Sequence, residues 1–332
     1  MSCYPTSTQR RHWILTREDI DSRRAASRAR AIDAARDARS SAGEPLRDPS
    51  SGPEPLSDEE ETLLRRYYEA KIMKVCAAFS LPSKVQATAV TLFKRFLLDT
   101  SLLQHNLKTI MLTSVYLACK TEEHYVSAEE LGRGMHEDAG RVLNAELTLL
   151  AGLRFQLITY SPYRALEGFR HDFESEGDAG DRPSSERLDA CLLAARDVTS
   201  KQMLTDAPLM YAPGRLALAA LRAAARESGL EGVVRYAERV GRGDEGEGGG
   251  GDDVARSMDA IDAMRRDGGD EPREEEVRPI DKKYKTWRAA NANREAKEMN
   301  REAKEVEATD GREGKRRKSA SKAEEDAALD GP

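Results

Sequence analysis

Aromatic residues are scarce in this 332-residue chain, at 5%, and the hydrophobic class reaches only 39% against 34% charged. That balance argues against a membrane protein and implies much solvated sequence outside whatever core exists. No stretch approaches about 18 uninterrupted apolar residues. Met1 to Trp13 contain no apolar signal core, so neither membrane spanning nor secretion is expected. The four cysteines, Cys3, Cys76, Cys119 and Cys191, are scattered, with no close pair at metal-ligand or redox spacing. Two of them fall inside apolar helical patterns, where a free thiol behaves as a small hydrophobe, and a reducing compartment is the simpler reading. β-branched residues are sparse too, while Ala, Arg, Glu and Leu dominate, which favours helix. The net charge of -6 gives no reason to expect a whole-molecule nucleic-acid binder.

Catalytic signatures are also missing. There is no phosphate-binding G-x-x-x-x-G-K-[ST], and His136-Glu137 lacks the second histidine one turn on that a helical zinc motif requires. The glycines at 248–251 lie in a charged run with no strand before them. Glu122, Glu123 and His124 can be imagined as metal ligands, but they follow a helix end, where polar residues belong anyway. Cys119 lies in an apolar helix, which raises a thiol pKa and dulls it. The chain is therefore expected to carry no catalytic residue, no metal and no cofactor.

What is present divides by composition. Residues 1–57 are an arm, with a polar Ala-rich helix over 14–40 and a linker containing Pro45, Pro49, Pro53 and Pro55. From 58 to 240 the apolar residues are periodic. Gly241–Gly251 is a Gly/Glu/Asp run, followed to 266 by a helix around Val254, Met258, Ile261 and Met264. Residues 267–332 are charged and expected to be largely disordered, with a basic cluster at Lys315, Arg316, Arg317 and Lys318.

The period of the middle segment is helical. Tyr67, Tyr68, Ile72, Val75, Cys76 and Phe79 follow three/four spacing, with Ser57 and Glu60 as a capping box ahead of them. Ser83 and Gln86 open a second helix with Ala89, Leu92, Phe93, Phe96 and Leu97 inward. A third holds Ile110, Ser114 and Ala118, a short fourth starts at Ser127 and Glu130, and a fifth carries Val142, Leu143, Leu149, Leu150 and Leu153. The pattern then restarts at Pro162 and runs over 161–240. Its own third helix, opened by Pro213, is built from Leu216, Ala217, Ala220, Ala223 and Ala224. Small residues in both third helices suit a helix at the centre of a bundle, so two successive five-helix bundles, 58–160 and 161–240, are predicted in an all-α chain.

At this point the residues resemble a known family, the cyclins. Thr91-Leu92-Phe93-Lys94-Arg95-Phe96-Leu97-Leu98 is similar to the second helix of the cyclin box. Leu117-Ala118-Cys119-Lys120 with Glu122 and Glu123 is similar to the end of its third, and Asn144 through Phe155 to its fifth. Gln9 to Trp13, Ser161 to Phe169, and Leu204 to Ala207 with Leu209, Tyr211, Ala212 and Pro213 resemble the cyclin H branch. The cyclin C branch shares the second-repeat features. Pro208 departs from the branch, which has a bulkier apolar residue there.

The resemblance implies two five-helix repeats with flanking helices and no chemistry of the chain's own. It implies binding to a cyclin-dependent kinase, the catalytic subunit of the CDK-activating kinase, whose regulatory helix is pushed into its active position. A RING-finger assembly factor and the general transcription factor TFIIH are the further partners it implies, and the nucleus the location. By position, Lys120 and Glu146 match the family's pair that grips the kinase helix. Spacing alone also fits an ordinary cation at a helix C-terminus and an exposed glutamate. Leu147 and Leu150 either touch the kinase or belong to the core. Arg11, His12 and Trp13 either bind a partner or pack back on the first repeat, and Lys315 to Lys318 fit a nuclear localisation signal. A nucleic-acid adaptor resembling TFIIB, built on the same repeats, would need a basic stripe on a repeat surface. Acids and bases are interspersed from 58 to 240, so neither nucleic acid nor membrane is expected as a partner.

Overall fold

The computed structural model describes residues 4–41, 53–176, 183–242 and 251–291. Among the described residues there is no strand. They fall into two compact units, drawn from 1–29 with 56–281 and from 30–55 with 282–332.

A short arm helix α1 (Thr8–His12) precedes the long α2 (Arg17–Ser41). The first repeat is α3 (Asp58–Ala78), α4 (Ser83–Asp99), α5 (Leu107–Thr121), α6 (Ala128–Met135) and α7 (Ala139–Gly152). The second begins with α8 (Pro162–Glu176) and α9 (Ser185–Met203), then the single turn α10 (Ala207–Met210). It continues through α11 (Pro213–Glu227), α12 (Glu231–Arg242) and α13 (Gly251–Gly268). A last helix, α14, covers 274–291.

Local sequence accounts for most of the helix starts. The Ser57 hydroxyl accepts from the Glu60 N–H at 3.2 Å, and the Glu60 carboxylate accepts from the Ser57 N–H at 2.7 Å. The Ser127 hydroxyl accepts from the Glu130 N–H at 3.1 Å. Such caps stabilise a helix by about 1 kcal/mol. The start of α4 differs from expectation: its N-cap is Pro82, which makes no side-chain cap bond.

Each repeat is organised round its third helix. α5 is touched by α3, α4, α6 and α7, and α11 by α8, α9, α12 and α13. Ser114 and Ala118 in α5, and Ala217, Ala220 and Ala224 in α11, are fully buried. Their small side chains let neighbouring axes approach to about 8–10 Å. The Ser114 hydroxyl donates to the Ile110 carbonyl at 2.8 Å, so its burial leaves no donor unpaired.

Three expectations need correction. α4 has no single inward face: every residue from Ala87 to Leu98 is buried, because α3, α5, α7, α8 and α10 surround it. The second repeat does not close at 240. α13 packs on α9, α11 and α12, and Met258 and Ile261 are buried with Leu216, Leu218, Ala219 and Ala237. It is the fifth helix of that bundle, and its apolar residues cover the side of α11 that alanines leave flat. The charged segment after 267 is not wholly solvated either, since α14 buries Val277, Tyr284 and Trp287. The remainder of that tail, like most of the linker and of the glycine run, lies outside the described residues.

The two repeats and the start of α2 meet at a buried cluster of charge. Lys94 Nζ lies 2.6 Å from Glu69 Oε2, the two side chains being 1% and 0% exposed. Burial pushes the Glu69 carboxyl up and the Lys94 ammonium down, each opposed by the other's charge. Beside them Arg24 forks onto Asp206, with bonds of 2.8 and 2.7 Å, and Arg17 adds a third at 2.8 Å. Burial alone would raise the Asp206 carboxyl. The Arg24 fork, with the charges of Lys94 and Arg65, instead holds it far below the usual carboxylate range. A folded pKa below the unfolded one contributes stability that is complete above about pH 4 and is lost as pH falls further. Asp206→Asn is therefore expected to lower unfolding free energy at pH 7 by about 3–5 kcal/mol, the cost of breaking a buried pair. Urea unfolding at pH 7 and pH 3 checks this: the gap between parent and variant must narrow at the lower pH, and an equal gap at both would refute the assignment.

Candidate functional site

Lys120 ends α5 and Glu146 sits mid-way along α7, two helices in direct contact. Lys120 Nζ and Glu146 Oε1 are 2.5 Å apart, with the lysine side chain half exposed and the glutamate mostly covered. The hydrogen bond that Lys120 donates to Glu146 raises the Lys120 pKa, so the ammonium stays charged. One turn earlier Tyr116 places its ring centroid 5.2 Å from the same nitrogen, a cation–π contact that limits where the lysine can swing. The ion pair uses one of the three ammonium donors and one of the two carboxylate oxygens. What remains is a donor and an acceptor side by side, fixed on two rigid helices.

The face beside this pair is apolar. Val142, Leu149 and Leu153 turn inward and are buried. Leu143, Leu147 and Leu150 lie three and four residues apart and share a stripe with Glu146. Leu147 is 66% exposed and Leu143 42% exposed, so neither is core, while Leu150 is half-buried at the edge of the stripe.

The end of α7 extends this surface. The Arg154 N–H donates to the Ala151 carbonyl and the Phe155 N–H to the Leu150 carbonyl, both at 2.9 Å. This is a Schellman ending, normally built on glycine, yet Arg154 and Phe155 have φ of +54° and +57°. Two consecutive non-glycine residues in that region cost about 1 kcal/mol or more each. The Arg154 guanidinium offsets part of this with a 3.0 Å bond to Asp99. The result is a phenylalanine 64% exposed to solvent at the end of the stripe's helix. Tyr116 and Phe155 were not among the residues that the sequence proposed for this face, and Leu143 entered only as part of the fifth helix's apolar pattern. Tyr116 was detectable at i−4 from Lys120; Phe155 follows the helix and obeys no helical period.

The other chemistry considered has little support. Burial pushes the Cys119 thiol up to about 11 and the Cys76 thiol to about 12. The Cys119 carbonyl accepts from the His124 N–H at 2.8 Å, an ordinary helix-end bond. Among the described residues no group of three or more His, Cys, Asp or Glu side chains is placed to hold a metal ion, and no helix is long and apolar enough to cross a membrane.

Comparison with known proteins decides the family. Residues 51–158 match the family described as Cyclin, N-terminal domain, and residues 161–264 match the Cyclin C-terminal domain. Cyclin-H1-1 of Arabidopsis thaliana is 43% identical over 258 residues, covering 72% of this chain and 76% of that protein. The chain belongs to the cyclin family, in the cyclin H group. Cyclin-H of Xenopus laevis is 34% identical, over 68% of this chain and 70% of its own length. Among solved structures, a chain from the CAK complex of Chaetomium thermophilum bound to ATP-gamma-S superposes with a TM-score of 0.72. It is 25% identical, and the likeness covers 90% of this chain and 94% of that one.

In this cyclin the arm is packed down. Trp13 is buried, and its indole N–H donates to Gln156 Oε1 at 2.9 Å. The guanidinium of Arg95 stands 5.1 Å from the ring centroid, with Arg23 at 5.5 Å and Arg154 at 6.0 Å. Ile20, Leu98 and Leu209 complete the pocket, so the indole touches both repeats. His12 Nδ1 lies 3.1 Å from the same Gln156 oxygen, while Arg11 is exposed. Lys315, Arg316, Arg317 and Lys318 lie outside the described residues. Trp13→Ala is expected to cost about 3–5 kcal/mol of stability, as for other buried tryptophans, and to free the arm. Limited proteolysis should then cut before residue 30 in the variant well before it does so in the parent.

Proposed function

We propose that this chain is the cyclin subunit of a CDK-activating kinase, and that Lys120 and Glu146 grip the regulatory helix of its cyclin-dependent kinase. The observation that carries the reading is the 2.5 Å Lys120–Glu146 pair at the margin of an exposed apolar stripe on rigid helices. The end of a helix carries main-chain groups without partners. A fixed ammonium and carboxylate satisfy a carbonyl and an N–H there, and do so only when the kinase helix is in position. Leu147 and Leu150, with Leu143 and Phe155, supply the apolar contact, each worth about 1.5–3 kcal/mol if fully buried. Moving a kinase from 1% to 99% active takes about 5.5 kcal/mol of differential binding. Two or three such side chains meet that requirement, and the polar pair determines which conformation benefits.

On this reading the chain has no chemistry of its own. The kinase it activates phosphorylates the activation loops of cell-cycle kinases and the RNA polymerase II tail. A RING-finger assembly factor and TFIIH are its further partners, and the packed arm helps set the activity of the complex. The chain works in the nucleus, with Lys315, Arg316, Arg317 and Lys318 as its entry signal. A reporter carrying residues 310–332 should accumulate in nuclei, and one that stayed cytoplasmic would remove the signal.

Lys120→Ala and Glu146→Ala are each expected to change stability by about 1 kcal/mol or less, because the lysine end of the pair is half exposed and screened by solvent, yet to lower activation of the kinase at least about tenfold. Phe155→Ala should weaken kinase binding by a similar factor with the melting temperature unmoved. Thermal unfolding alongside a reconstituted kinase assay separates these effects. A double variant at 120 and 146 that activates the kinase fully would overturn the assignment.

A further inference from the structure

A second surface, with no residue in common with the Lys120–Glu146 face, lies between the repeats. A channel of about 650 Å³ opens there, within the range of sites that hold a small ligand or a few side chains of a peptide. One wall is Lys84 of α4 and Glu122 just past α5; the connecting segment Thr159–Ser161 runs alongside. The opposite wall is the second repeat, with Ala165 and Phe169 of α8, Leu218 of α11, Val240 of α12 and Val254 of α13. The interior is therefore mostly hydrocarbon. Tyr4 stands at its edge, packed edge-on against Tyr160 with ring centroids 5.4 Å apart.

The charge of the lining is one-sided. Lys84, Arg164 and Arg215 contribute three cations against the single carboxylate of Glu122. Glu122 is already engaged, with Oε1 accepting from the Thr88 hydroxyl at 2.6 Å and Oε2 lying 3.8 Å from Lys84 Nζ. Arg164 has no carboxylate partner among the described residues. At Gly214, also in the lining, an added Cβ would meet nothing within 4 Å. An apolar slot with an unbalanced guanidinium at its rim suits a ligand that is hydrocarbon in one part and anionic in the next. A nucleic acid has no apolar side chain to fill it, and a neutral hydrophobe leaves Arg164 unmatched.

We propose that this channel docks a short extended protein segment carrying a carboxylate beside an apolar side chain. The carboxylate reaches Arg164, and the apolar group enters between Phe169 and Leu218. This goes beyond the kinase-activating reading and does not depend on it.

The test uses the full chain, immobilised and panned with a random dodecapeptide display library. Enriched peptides should carry Asp or Glu within two positions of Leu, Ile or Phe. A synthetic copy should bind at least about tenfold more weakly to Arg164→Glu and to Gly214→Trp. The Cβ added at 214 enters open space, so the bulky side chain starts without a clash at the lining of the channel. Replacing the peptide's acids by amides should cause a loss of similar size. Circular dichroism melts confirm that each variant is folded, and either folded variant suffices. The proposal fails if no peptide is enriched, if the enriched peptides are no more acidic than the library, or if the chosen peptide binds the folded variants as well as the parent.

Discussion

Asp206 is a single carboxylate withdrawn from water, and two arginines of α2 close directly on it while Lys94 and Arg65 of the first repeat act on it through space. Taking those ions out of solvent is costly, and a patch of leucines of equal volume would stabilise the junction as well or better. What hydrocarbon lacks is direction. A guanidinium fork has one geometry that satisfies both of its bonds, so the arm and the second repeat cannot slide past one another without losing them. The neighbouring Lys94–Glu69 pair ties α4 to α3 in the same way.

The proposed partner face depends on the same rigidity. Lys120 and Glu146 come from different helices, and their separation is the packing distance between α5 and α7 expressed through two side chains. The small residues of α5 keep that distance short, and the buried hydroxyls of Thr113 and Ser114 donate to carbonyls one turn back in the helix. A binding face of this kind arrives already organised, so little of its interaction energy is lost to ordering.

Much of this was legible in the residues alone. The capping boxes at Ser57 and Ser127, the three/four spacing of α3 and the alanine series of α11 are local signals, and the helices they predict are there. The failures share one cause, namely that burial is decided by neighbours distant in sequence. α4 is enclosed on all sides, so a face drawn from its own period missed the burial of Lys94 and Arg95. α13 and α14 have too few apolar residues to stand out against their charge, yet α13 covers the alanine side of α11 and α14 buries Val277, Tyr284 and Trp287. At the candidate site, spacing could not distinguish Lys120 and Glu146 from ordinary surface ions; only the likeness to cyclins separated them. Phe155 was hidden for the opposite reason, since a residue beyond a helix end reads as loop, while the period of an apolar helix left Leu147 open between core and contact face.

The buried thiols carry a practical consequence. Cys76 and Cys119 lie in the first bundle and Cys191 in the second, all three shut away from solvent with their ionisation suppressed. An alkylating reagent meets such a sulfur only while its surroundings are open, so the rate of labelling measures how often each bundle breathes. With Cys3 replaced by serine, the chain contains its own opening clocks, two in the first repeat and one in the second. They can be read by mass spectrometry in the free subunit and again in any assembly, without attaching a dye or disturbing a surface.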